Sequence, residues 1–170
     1  MIQEEALENA VRPRIIITLR IRTAQFFPVD PPWRKPLVDK KEIVMPDEVH
    51  SVERWPYSHG VKVGDLLFIA GQVALDQDLQ LVGEDDAEAQ ARQIWHNIRL
   101  VVEAAGGKVT DVVRVTLYVL DFKHMPAFHK VRREIFAAGN YPAATGVQVV
   151  KLGLPGLLLE TEATAGIGSS

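Results

Sequence analysis

Gly64-Asp65-Leu66-Leu67-Phe68-Ile69-Ala70-Gly71-Gln72 is a turn, an unbroken apolar run and then a glycine. A run of that length, rich in Leu, Phe and Ile and bounded by Gly, reads as a strand buried on both faces in the middle of a sheet. Ala70-Gly71 at its end leaves room for a small ligand to approach the backbone. The same glycine could equally mark only a β-bulge or a turn, and the run alone does not separate the two readings.

Upstream, Val61-Lys62-Val63 alternates, and Gly64-Asp65 forms the bend of a hairpin into the apolar run. Trp55-Pro56-Tyr57-Ser58-His59-Gly60 is a loop, because proline fixes its own φ and restricts the residue before it. Downstream, Val73-Ala74-Leu75 extends the strand, and Leu79-Gln80-Leu81-Val82 alternates as a second short strand after a polar turn. Asp85 or Asp86 then caps a helix whose acidic start suits the positive end of the helix dipole. Ala87, Ala91, Ile94, Ile98, Val101, Val102 and Ala105 recur at helical spacing, and Gly106-Gly107 ends the segment. Residues 112–120, β-branched and aromatic, read as a second central strand. A second helix is expected over residues 125–138, followed by strands over 144–150 and 157–165.

This succession predicts an α+β fold with one sheet and two helices on a single face. Strands that are apolar on both sides need a cover for the other face, and further copies of the chain provide it, which predicts a closed homo-oligomer.

The chain has 170 residues, enough for one domain with a normal core. With 47% apolar residues and a mean hydropathy of +0.02, it reads as a globular protein in solution. The absence of cysteine excludes disulfides, thiolate metal sites and a thiol nucleophile, and makes a cytoplasmic location the default. A net charge of −3 and a pI near 5.9 give no overall pull toward nucleic acid or anionic membrane. No apolar stretch is long enough to span a bilayer.

Residues 1–50 stand apart as an N-terminal extension, with residues 51–168 forming the domain. Pro28, Pro31, Pro32 and Pro36 forbid regular structure there, while Ile15-Ile16-Ile17-Thr18-Leu19-Arg20-Ile21-Arg22 could form a strand. An accessory extension, a basic targeting arm and a natural start at Met45 all remain open, although Glu4, Glu5 and Glu8 argue against a transit peptide.

Several motifs recur together. Pro56-Tyr57-Ser58, the stretch from Gly64 to Gln72, Gln90-Ala91-Arg92-Gln93 with Asn97, and Val102-Glu103-Ala104-Ala105-Gly106 are followed by Val113-Arg114-Val115-Thr116-Leu117-Tyr118-Val119. Tyr141-Pro142-Ala143 and Glu160-Thr161-Glu162-Ala163 complete the set. Across about residues 55–165 these motifs resemble the RidA (YjgF) family, whose members are also labelled endoribonuclease L-PSP and translation initiation inhibitor. The resemblance implies a chorismate-mutase-like fold that trimerises through the open face of its sheet, with clefts between subunits. It also implies cofactor-independent hydrolysis of enamines and imines, such as 2-aminoacrylate, to a keto acid and ammonia.

Carried onto this chain, the family pattern gives Glu162 as the catalytic carboxylate, with Tyr57 and the backbone at Gly71 binding substrate. The family's substrate-clamping arginine follows Pro-Ala, and here that position is Ala144. Gly146 stands where a cysteine is common, and Ala70 where a small polar residue is. Arg114 could face the cleft from a neighbouring strand, or simply solubilise the surface. A guanidinium–carboxylate pair in a partly desolvated cleft contributes about 1.5–3 kcal/mol, and alanine supplies none of it. The expected substrate is therefore a small metabolite other than the usual 2-imino acid; the alternative is a non-catalytic homotrimer that binds a ligand or partner. Glu160 shares the side-chain parity of Glu162, so one carboxyl pKa would rise if both faced one cleft. No metal or cofactor is expected, since His124 and His129 are spaced poorly for helical ligation. Lys130, Arg132 and Arg133 make only a short basic patch, which argues against nucleic acid as a partner.

Overall fold

The computed structural model describes residues 40–170, so the expected strand in the N-terminal extension lies outside the described residues. The strands are β1 (Glu42–Val44), β2 (Gly60–Val63), β3 (Leu66–Val73), β4 (Val112–Val119), β5 (Ala143–Gln148) and β6 (Leu159–Gly166), and the helices are α1 (Ala87–Ala104) and α2 (Met125–Ile135). They form one mixed sheet in the order β1-β2-β3-β6-β4-β5. Gly64, at φ 59°, takes the left-handed conformation that the tight β2–β3 turn requires. β6 runs antiparallel to both β3 and β4, whereas β4 and β5 pair in parallel. A parallel pair needs a crossover, and α2 lies within it.

One face of the sheet is buried beneath the helices. Leu67, Ile69, Val115, Leu117, Leu159 and Ala163 point inward from the three central strands against Ile94, Ile98 and Val101 of α1. Each buried Leu, Ile or Val among them contributes about 1.5–3 kcal/mol of transfer free energy. Asp86 starts α1 by accepting hydrogen bonds from the N–H groups of Glu88 and Ala89, at 2.9 and 3.1 Å. Buried Gln90 then ties the helix to two chain crossings: its Nε2 donates to the carbonyls of Gly83 and Gly156, and its Oε1 accepts from the Leu158 N–H.

Five expectations change. The apolar run is buried on one face only within this chain, because both helices cover the same side; Leu66 and Phe68 point the other way and are 48% and 49% exposed. Residues 79–82 form no strand beyond a single bridge between Leu75 and Leu81. There the Asp76 carboxylate accepts from the N–H groups of Asp78 and Gln80, and Leu79 adopts φ 61°, closing a turn instead. α2 stops at Ile135, because Phe136 leaves the helix and packs edge-on against Trp95, with ring centroids 5.4 Å apart. β5 ends at Gln148, before the predicted limit at Val150. β1 adds an edge strand upstream of the expected domain start.

Candidate functional site

The register between β3 and β6 shifts by one residue between Ile69 and Gln72. The extra residue makes Ala70-Gly71 a β-bulge, which turns Gln72 into the interior and Gly71 toward the side chains of the open face. Glu160 of β6 lies directly over Gly71: a side chain at that position would collide with the Glu160 carboxylate. The structural and the functional readings of Gly71 are thus both present, since the glycine makes the bulge and leaves space for a carboxylate.

Glu160, Gly71 and Ala70 line a cleft of about 340 Å3 together with His50, Trp55 and Tyr57 from the loop before β2. Val73, Leu75, Leu154 and Leu157 supply its apolar wall. Burial, and then the neighbouring Glu162, raise the Glu160 pKa above the usual carboxylate range. Burial and the charge of Glu160 likewise raise that of Tyr57. His50 is held at about 4 by burial and by His59, so it enters the cleft as a neutral imidazole.

Behind the cleft runs a buried polar relay. Gln72 Nε2 donates to the Ala70 carbonyl at 3.1 Å and lies 3.4 Å from His59 Nδ1, and His59 Nε2 lies 2.8 Å from the His50 carbonyl. A carbonyl only accepts, so His59 carries its proton on Nε2 and presents Nδ1 as the acceptor for Gln72. Burial lowers the His59 pKa, opposed by its hydrogen bond to the His50 backbone. The bulge and the loop bearing Trp55 and Tyr57 are thereby held together.

The residues singled out in the sequence separate into three places. Tyr57 and Gly71 share the cleft with Glu160. Arg114 and Glu162 line a smaller depression of about 160 Å3 on the open face of the sheet. Ala144 and Gly146 line a third, of about 200 Å3, together with His129 and Arg132 of α2. Glu162 still acts at a distance on the cleft, through its repulsion of Glu160. His50 and Trp55 were not singled out; the Trp-Pro-Tyr sequence marks an aromatic loop, while nothing near His50 signals burial at a site.

A family model described as endoribonuclease L-PSP matches residues 49–167, the span that holds every element of this cleft. The chain belongs to the RidA, or endoribonuclease L-PSP, family. A RutC family protein of Pyrococcus horikoshii is 37% identical to this RidA-family chain over 110 residues, which cover 65% of the chain and 86% of the relative. A 2-iminobutanoate/2-iminopropanoate deaminase of Salmonella typhimurium is 36% identical over 99 residues, covering 57% of the chain and 77% of the relative. The crystal structure of RidA from the Antarctic bacterium Psychrobacter sp. matches with a TM-score of 0.68 at 31% identity, covering 74% of this chain and 99% of that one. The RidA-type sheet with two helices is therefore shared. Among the described residues no helix is long and apolar enough to cross a membrane.

Proposed function

We propose that this RidA-family protein hydrolyses the C–N bond of an enamine, imine or related small metabolite, without a cofactor, in the cleft of Tyr57, Gly71 and Glu160. The observation that carries the reading is the half-buried Glu160 carboxylate lying over Gly71, its proton affinity raised by burial and by Glu162. A carboxyl group whose pKa is raised takes up a proton more readily than an ordinary surface carboxylate, which suits it to proton transfer. The ionised Glu160 removes a proton from water as the water oxygen bonds to the carbon of a protonated imine. The resulting carbinolamine nitrogen takes that proton back. The C–N bond then breaks, the carbonyl forms, and ammonia leaves with the hydroxyl proton as ammonium. Tyr57, whose hydroxyl stays protonated at neutral pH, can donate a hydrogen bond to the oxygen that becomes the carbonyl.

The relative named as a 2-iminobutanoate/2-iminopropanoate deaminase supports the reaction class. The arginine that the family pattern puts at Ala144 is absent, so this position offers no donor to a substrate carboxylate; within one chain it lines the separate depression beside His129 and Arg132. The proposal includes a cytoplasmic location and a closed homotrimer; the half-exposed Leu66 and Phe68 on the uncovered face of the sheet support association between copies of the chain.

The test is ammonia release from freshly generated 2-aminoacrylate, 2-iminobutyrate and a carboxylate-free aldimine, using wild type, Glu160→Gln, Glu162→Gln and Ala144→Arg. The reading expects turnover of the carboxylate-free imine that Glu160→Gln abolishes and Glu162→Gln lowers, with Ala144→Arg gaining activity on the two imino acids only where the trimer sets the Ala144 depression of one subunit against the cleft of the next. Wild type inert toward all three compounds sinks it. A monomeric mass in light scattering rejects the trimer.

A further inference from the structure

Trp55 and Tyr57 are 38% and 43% exposed, and both line the cleft. Their centroids lie 6.4 Å apart, with the planes inclined by 30°. Among the described lining residues Glu160 is the single formal charge, because His50 is neutral above a pKa of about 4. We propose that this cleft selects an organic cation with an apolar body, a primary ammonium or a carboxylate-free iminium, its charge held between Glu160 and the faces of Trp55 and Tyr57.

Three features converge on that class. Aromatic faces carry negative electrostatic potential and attract a cation within about 6 Å of the ring centroid, tryptophan most strongly. Glu160 is partly desolvated and repelled by Glu162, and an incoming positive charge relieves both costs at once. Val73, Leu75, Leu154 and Leu157 offer an apolar body an apolar wall. An anion entering the same space would meet Glu160 with no cation among the described lining residues to offset it. The Arg132 guanidinium lines the separate depression at Ala144 and Gly146.

The inference deepens the reading of this cleft as a C–N hydrolase and rests on that reading for the iminium, whereas cation selection is measurable without turnover. Benzylammonium, benzyl alcohol and benzoate share one ring and differ in charge, and calorimetric titration at fixed ionic strength compares them. Wild type is expected to bind benzylammonium at least about tenfold more tightly than benzyl alcohol, and benzoate more weakly than the alcohol. Glu160→Gln should bring benzylammonium to within about twofold of the alcohol, and Trp55→Leu should weaken it by about fivefold or more. Both side chains are partly exposed, so the variants keep the fold, and a thermal melt verifies this. Benzoate binding as tightly as benzylammonium, binding of none of the three, or a preference for cations unchanged in Glu160→Gln overturns the proposal. Cation selection in a protein that hydrolyses no imine rejects the hydrolase alone. Imine hydrolysis dependent on Glu160 without cation selection rejects this inference alone.

Discussion

Replacing Gly71 with alanine separates the architectural role of this glycine from its role in placing Glu160. An added Cβ falls inside van der Waals contact of Glu160 Oε1, 3.0 Å from Cδ and 3.3 Å from Cγ. The φ of Gly71 lies outside the left-handed region, so alanine can adopt the backbone without strain. The group it meets is the end of a flexible side chain, which rotates away more cheaply than the sheet deforms. Forcing Glu160 from its rotamer costs about 0.5–1.5 kcal/mol. Removing a glycine from a strand returns about 0.5–1 kcal/mol, mainly from the unfolded state. The net change is therefore under about 1 kcal/mol, or a Tm shift within about 4 °C. Catalysis should suffer far more, because a displaced general acid–base forfeits about a hundredfold or more in rate. Gly71→Ala is thus expected to melt almost as wild type and to lose about a hundredfold in kcat on a carboxylate-free imine. Calorimetry and ammonia release on one preparation measure both quantities. Wild-type turnover in Gly71→Ala refutes the placement of Glu160 at the reacting atoms, and a Tm loss beyond about 10 °C shows that the sheet itself depends on the glycine.

Protonation of His50 sets an acid limit on stability. The unfolded chain takes this proton near pH 6.5, the folded protein only near about 4, so stability is full above pH 6.5 and declines as pH falls between the two. His59, also lowered by burial, adds to the same window. His50→Gln should flatten the dependence of the urea midpoint on pH across that range, and an unchanged slope would show that the imidazole is freely solvated. Gln90→Ala leaves two carbonyls and one N–H without their side-chain partner and should cost about 3 kcal/mol in urea denaturation. Arg92→Ala breaks solvent-exposed ion pairs to Glu88 and Glu134, so it should cost clearly less than Gln90→Ala; equal losses in the two variants would contradict this ranking.

What was legible in the sequence followed from local signals. α1 announces itself by its apolar spacing, its Asp86 cap and the glycines after it, and the structure places it at Ala87–Ala104. β3 was equally visible as a strand, yet which of its faces is covered depends on where two distant helices settle. Residues 79–82 alternate as a strand would, but the Asp76 carboxylate captures their neighbours' N–H groups in a turn. The end of α2 was hidden for a similar reason, because Phe136 leaves a helix-compatible segment to pack against Trp95. Tyr57 and Gly71 were legible from motifs. The carboxylate beside them was legible only as one of the pair Glu160 and Glu162, because a single inserted residue in β3 sets which glutamate on β6 reaches the glycine.

That insertion links the fold to the chemistry. Unbulged, β3 would direct Gly71 toward the helices and Gln72 toward the open face, since side chains alternate strictly along a strand. With the bulge, Gly71 faces Glu160, and Gln72 is fully buried where its amide reaches both the Ala70 carbonyl and His59. His59 in turn holds the His50 carbonyl, at the start of the loop that carries Trp55 and Tyr57. The same one-residue shift therefore brings the carboxylate to the cleft and anchors the aromatic wall opposite it. A substitution at Gln72 would thus reach the site from inside the core, loosening the Ala70 carbonyl and the His59 ring together without touching a bound ligand.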